Sequence, residues 1–151
     1  MFFKPLDPNL PTFEITLAAS QTIKKGMALD HSSGAWSEAD SGDIPGAIAA
    51  EDCTTAAGET TTTIRAWLIN IDQIWIAQTK ETAATKAHNY GAVGDFDNTS
   101  HTHRFDYSTT TDKCMRCLDK TPTSDWEGTG TTEIYVRFLR SQCGANSTTA
   151  A

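Results

Sequence analysis

Residues 60–76, TTTTIRAWLINIDQIWI, decide the fold class of this 151-residue chain. The run is rich in β-branched and aromatic side chains, which fit a pleated, half-buried surface better than a helix. It predicts two strands that meet near Asn70 to Gln73, and we expect it to form the main core. The 24 threonines of the chain strengthen the same preference for strands.

Shorter runs of the same kind lie on either side of this stretch, at residues 13–18, 27–29, 44–50 and 133–139. Turn residues such as Lys25-Gly26 and Ser33-Gly34 separate them, and this spacing is typical of sandwiches and barrels. The sequence therefore predicts an all-β, mainly antiparallel, barrel-like single domain over residues 15–143.

Two further segments have their own predictions. Residues 81–90, ETAATKAHNY, have the composition of a helix followed by a capping glycine, so we expect at most one short helix there. Residues 144–151 contain no large apolar group and predict a flexible tail.

Residues 1–14 contain three prolines and predict an extended N-terminal arm. Its apolar residues have few local partners, so we expect the arm to lie on its own domain or on a neighbouring molecule, the alternative being a frayed terminus. The candidate arm contacts are Phe2, Phe3, Leu6 and Leu10.

The charge balance restricts the partners. A formal net charge of −7 disfavours binding to nucleic acid and to anionic membranes. No stretch approaches the roughly 18 uninterrupted apolar residues of a membrane span, and no export signal is recognised at the N-terminus.

The most specific pattern for a metal is His101-Thr-His103 followed by Cys114-Met-Arg-Cys117. Two imidazoles and a CxxC pair could supply a tetrahedral zinc site. Unligated thiols are the favoured interpretation, and a disulfide that involves Cys114, Cys117 or Cys143 is the other alternative. We therefore predict no metal and no cofactor, with zinc as the weak candidate.

The acidic residues are expected to be solvated turn residues, because they stand among serine, glycine and asparagine. They are Glu38, Asp40, Asp43, Asp95 and Asp97. The pattern Asp95-Phe-Asp97-Asn98 lacks the glycine and the distal glutamate of a calcium loop. Because no GxSxG, HExxH or phosphate-binding glycine motif occurs, we expect that the protein is not an enzyme.

The tryptophans have two interpretations. They could form a platform for stacking sugars, but packing in the core or at a subunit interface is the more frequent role; Trp126 is the most plausible exposed one. The predicted core or subunit-interface residues are Leu29, Trp36, Ile48, Trp67, Ile69 and Trp75.

Residues 23–64 have an order of features that is similar to one protein family. Met27 to Asp30 precede two serines, Trp36 follows, Gly46 leads to Ile48-Ala49-Ala50, and a threonine run occupies 60–63. This order resembles the head-decoration proteins of lambda-like tailed phages.

The resemblance implies a β-tulip-like or barrel domain whose N-terminal arm docks onto the major capsid protein, in oligomers that are often trimers. It also implies a place on the outer capsid surface after synthesis in the host cytoplasm. Residues 98–132 exceed the shorter lambda-type members and would be an inserted loop or hairpin. The alternative functions are a tail or fibre-tip carbohydrate-binding module and a small zinc-stabilised module.

Overall fold

The computed structural model describes residues 2–81, 91–124 and 131–141, which form an all-β, mainly antiparallel, barrel-like structure, as predicted. The predicted helix, apart from Glu81, and the predicted tail lie outside the described residues. The strands are β1 (Lys4–Pro5), β2 (Phe13–Thr16), β3 (Thr22–Ile23), β4 (Ala28–Ser32), β5 (Ala35–Glu38), β6 (Ala47–Ala49), β7 (Cys53–Thr54), β8 (Thr63–Leu68), β9 (Ile74–Gln78), β10 (Val93–Thr99), β11 (Thr102–Asp106), β12 (Met115–Lys120) and β13 (Glu133–Phe138).

The first half of the chain forms a five-stranded antiparallel sheet in the order β2-β8-β6-β4-β5. The sheet curls until the end of β2 meets β5, where Leu17 and Trp36 form a parallel bridge. The Ala18 N–H donates to the Trp36 carbonyl at 2.8 Å across this junction. A separate two-stranded ribbon pairs β3 with β7.

The second half forms a six-stranded sheet in the order β1-β9-β13-β12-β10-β11. It curls in the same way, since Thr79 at the end of β9 forms a parallel bridge with Phe105 of β11. The Lys80 N–H donates to the Phe105 carbonyl at 2.7 Å there. Strand β1, which comes from the start of the chain, pairs with the outer edge of β9.

The two halves have the same topology. Taken in chain order, the strands of the first sheet and those of the second, without β1, both occupy the spatial order first, fifth, fourth, second, third. In both halves a parallel bridge joins the first strand to the third. The chain therefore contains two five-stranded units with the same strand order, residues 13–68 and 74–138, which we call the N-terminal and C-terminal barrels.

Strand periodicity distributes the apolar side chains between two cores. Along β8, Ile64 and Ala66 face the interior of the N-terminal barrel, whereas Trp67 packs against the larger cluster of the C-terminal barrel. Strand β6 is buried on both faces, and its Ile48 belongs to the larger cluster. The outer face of the first sheet thus closes one side of the C-terminal barrel.

The stretch at 60–76 contains two strands, β8 and β9, on either side of a turn in which the Gln73 N–H donates to the Asn70 carbonyl. These strands belong to different sheets and do not pair with each other. The described residues of the segment 98–132 supply β11 and β12, and β12 lies between β13 and β10 within the sheet. No helix in the described part of the chain is long and apolar enough to span a membrane.

Candidate functional site

The beginning of the chain is anchored on the domain. Phe3 is only 2% exposed and lies 5.5 Å from Phe138, measured between ring centroids. Its N–H donates to the Gly26 carbonyl at 2.9 Å, and the Leu6 N–H donates to the Ile74 carbonyl at 3.0 Å. The arm was expected to lie either on its own domain or on a neighbouring molecule, and in the structure it lies on its own domain. Phe3 is therefore a core residue and is not available as a contact to another molecule.

The rest of this segment is partly open to solvent. Leu6 is 44% exposed and Phe13 is 49% exposed, and they are the two large exposed apolar residues among those described. Leu10 packs partly against the larger core cluster, and Phe2 is half-buried. We call residues 2–12 the N-terminal segment.

A surface cleft of about 320 Å³ lies between this segment and the turn that joins the two barrels. Its walls are largely apolar, and two carboxylates stand at its rim. The cleft is lined by Pro5, Leu6, Asp7, Leu10, Asp72, Gln73 and Ile74. The turn at Asp7 is held by the Asn9 N–H, which donates to the Asp7 carboxylate at 2.9 Å.

The edges of the sheets determine where another strand could add. The parallel bridges Leu17–Trp36 and Thr79–Phe105 cover parts of the outer edges of β5 and β11. On β1, Pro5 has no N–H and so removes a donor from the outer edge. Strand β2 pairs with β8 on one side and meets β5 only at Leu17. The exposed Phe13 and Glu14 therefore lie on a strand edge that no other described strand covers.

Of the six predicted core or interface residues, five are buried inside the domain and Trp67 is half-buried. Leu29 and Trp36 lie in the N-terminal barrel's cluster, while Ile48, Ile69 and Trp75 lie in the larger one. Trp67 is half-buried, with its ring edge-on to Trp75 at 6.3 Å and the Lys25 ammonium 5.9 Å from its centroid.

The described residues do not assemble the zinc candidate, since no group of three or more histidine, cysteine or acidic residues among them could hold a metal ion. His101 and His103 both contact Glu38, at 2.7 and 2.8 Å. Cys114 and Cys117 are buried free thiols. Burial raises the pKa of Cys114 to about 12 and that of Cys117 to about 11, which keeps both thiols protonated near neutral pH. Cys143 lies outside the described residues.

Glu38, at the end of β5, links the two barrels. Its Oε1 contacts His103 Nε2 and accepts a hydrogen bond from the Asn98 side-chain amide at 3.1 Å, and its Oε2 contacts His101 Nδ1. Burial opposes ionisation, but the hydrogen bonds from the two imidazoles outweigh it and lower the pKa of Glu38. The interpretation of Glu38 as a solvated turn residue was therefore wrong.

Asp95 and Asp97 are also not solvated turn residues, being 2% and 3% exposed on β10. Asp95 accepts the N–H groups of Asp112 and Lys113 at 3.0 and 2.7 Å. Asp97 forms ion pairs with Lys80 at 3.3 Å and Arg104 at 3.2 Å. Because these partners come from the neighbouring strand and from other turns, the composition around Asp95 and Asp97 could not predict them.

Sequence reasoning missed Asp106, which is 4% exposed beside this pair. It pairs with the Lys80 ammonium at 3.2 Å and accepts hydrogen bonds from Ser108 and Thr109. Burial disfavours its ionisation, yet these donors outweigh burial and lower the pKa of Asp106. Lys80 thus neutralises part of a buried carboxylate cluster at the surface of the C-terminal barrel.

Comparison with family models, with curated proteins and with solved structures found no match for this chain.

Proposed function

We propose that this chain is a structural protein of a tailed-phage virion that binds the outside of the major capsid protein shell and stabilises it. One observation carries the proposal: Leu6 and Phe13, the two large exposed apolar side chains among the described residues, both lie at the start of the chain. Leu6 lines the largely apolar cleft and Phe13 lies on the open edge of β2, and exposed apolar groups of this kind favour a protein partner.

The scaffold behind this surface supports the proposal. The exposed part of the N-terminal segment is fixed at both ends, by Phe3 in the core and by the pairing of β2 with β8. A surface held in this way loses less conformational entropy on binding than a free arm would. Repetition of one modest contact around a shell then strengthens attachment by multivalency.

The tryptophans give less support to the alternative of a carbohydrate-binding module. Trp36 and Trp75 are 9% and 0% exposed, and Trp67 packs against the core, so these three do not present an open ring platform. Trp126 lies outside the described residues.

The test is co-sedimentation of the full-length protein with tailed-phage capsids that lack their own decoration protein. Truncation of residues 1–12 would remove the buried Phe3, so point substitutions are the cleaner probe. We expect the double variant Leu6→Ser, Phe13→Ser to weaken binding about tenfold or more, because loss of the contact energy of one buried apolar side chain exceeds 1.4 kcal/mol.

The matched control is Ala57→Ser, Thr61→Ser, which changes two exposed positions of the N-terminal barrel. Saturable binding that survives in the control and weakens in the apolar variant supports the proposal. Absence of binding by the wild-type protein, or equal binding by both variants, contradicts it.

A further inference from the structure

His103 is a buried histidine at the contact between the two barrels. It is 1% exposed, on β11 of the C-terminal barrel. Its Nδ1 accepts the N–H of Ala28, the first residue of β4, at 2.8 Å, and its Nε2 contacts Glu38 of β5 at 2.8 Å. One imidazole therefore links two strands of the N-terminal barrel to the C-terminal barrel.

These contacts determine the protonation state of the ring. A backbone N–H can only donate, so Nδ1 must be unprotonated, and a neutral ring then carries its proton on Nε2, which donates to the Glu38 carboxylate. Protonation at Nδ1 would remove the acceptor of the Ala28 N–H and leave that buried donor unpaired.

The groups around the ring have opposite effects on the pKa of His103. Burial is the largest influence and lowers the pKa of His103, the hydrogen bond and negative charge of Glu38 raise it, and the nearby charges of His101 and the amino terminus lower it. The net result is a pKa below the ordinary value of histidine. The remaining faces are uncharged: Phe96 of β10 lies 5.1 Å away and Phe2 lies 6.1 Å away, between ring centroids.

The position of Ala28 connects this ring to the N-terminal segment. Gly26, two residues earlier, accepts the Phe3 N–H and donates its own N–H to the Ala49 carbonyl at 2.8 Å. Phe3 thus docks on a turn two residues before Ala28, whose N–H donates to His103, and Phe2 packs edge-on against the same imidazole.

We propose that His103 is a proton-sensitive latch for the N-terminal segment: the neutral ring holds Ala28 and the Gly26 turn in the position onto which Phe2 and Phe3 dock, and uptake of one solvent proton at Nδ1 releases them. Glu38 remains ionised and pairs with the imidazolium. The segment is the first element to leave because its own strand is two residues long and pairs on one side only. This latch does not depend on which partner the protein binds.

The experiment is NMR of the full-length protein between pH 8 and pH 4, a range extended downward because the pKa of His103 is lowered, with amide exchange expressed as protection factors. The side-chain ¹⁵N shifts of His103 report its tautomer and titration, and the amides of Ala28, Phe3 and Leu6 report the latch and the segment. Below the pKa of His103 we expect the protection of Phe3 to fall about tenfold per pH unit, in parallel with that of Ala28.

One variant tests the role of His103, and a second variant is the control. In His103→Gln the amide oxygen can accept the Ala28 N–H and the amide nitrogen can donate to Glu38, so we expect pH-independent protection of Phe3. His31→Gln, at a half-buried histidine of the N-terminal barrel, is the matched control and should behave as the wild type.

If His103→Gln fails to fold, the wild-type titration alone decides. Loss of Phe3 protection with a midpoint at the His103 pKa, while the β13 amides stay protected, supports the latch. Protection of Phe3 that persists after His103 has titrated, or that is lost together with the whole C-terminal barrel, overturns it.

Discussion

The main-chain N–H of Phe3 donates to the carbonyl oxygen of Gly26 at 2.9 Å, which holds the start of the chain against a turn of the N-terminal barrel. Gly26 has a φ of +93°, and a Cβ built on it would lie 2.5 Å from the Phe2 Cβ and 2.7 Å from the Phe3 carbonyl oxygen. The contact therefore requires glycine for two reasons, the backbone conformation and the space.

Gly26→Ala is expected to destabilise the protein and displace the N-terminal segment. Its matched control is Gly58→Ala, because Gly58 has a φ of +79° with no atom within 4 Å of its would-be Cβ. The control should cost about 1–2 kcal/mol of backbone strain, and Gly26→Ala should cost more. Urea unfolding measures the difference, and equal losses would show that the close approach contributes nothing.

His101 is expected to be a strained position whose glycine variant is more stable than its alanine variant. Ser100 and His101 form the β10–β11 turn with φ values of 52° and 63°. The equivalent turn of the N-terminal barrel has Ser33 and Gly34, with φ values of 52° and 81°.

Both His101→Gly and His101→Ala lose the contact with Glu38, so only the backbone cost separates them. We expect His101→Gly to be more stable by about 1 kcal/mol in urea unfolding. Identical unfolding midpoints for the two variants would contradict this expectation.

Asp106 is expected to make stability depend on acid pH. Its folded-state pKa is lowered from 3.8, so the unfolded chain binds its proton first as pH falls. The stabilisation is therefore complete well above pH 3.8 and is lost as pH falls through the folded-state pKa. Urea unfolding between pH 6 and pH 2.5 should show a shallower decline for Asp106→Asn than for the wild type, and the control Asp72→Asn, at an exposed carboxylate, should follow the wild type.

The three described cysteines are expected to react at different rates with a thiol reagent at pH 8. Cys114 and Cys117 are 0% exposed and their pKa values are raised by burial, whereas Cys53 is half-buried. Alkylation of the folded protein followed by peptide mass mapping should find Cys53 modified well before the other two, which become reactive with unfolding. Early modification of Cys117 would indicate that the C-terminal barrel opens locally.

Much of the N-terminal barrel could be predicted from local sequence. The run at 13–18 contains β2, the run at 27–29 contains the first two residues of β4, and the run at 44–50 contains β6. The junction predicted at Asn70 to Gln73 separates β8 from β9. These strands are apolar enough for composition to identify them.

The strands β10 to β12 could not be predicted in the same way. Asp95 and Asp97 alternate with Phe96, and both faces of β10 are buried. The acidic face is stable only because Lys80, Arg104 and the amides of Asp112 and Lys113 converge on it. A buried carboxylate needs partners, and partners on other strands cannot be recognised from the sequence composition around the carboxylate.

The sequence by itself determined the all-β class, the positions of several apolar strands and part of the core, because strand preference and side-chain alternation are local properties. The tertiary structure alone decided that two halves with unlike sequences have one topology, that Phe3 belongs to the core, and that Glu38 joins His101 to His103. Those outcomes depend on which strands meet, and long-range pairing is set by burial and hydrogen-bond satisfaction over the whole domain.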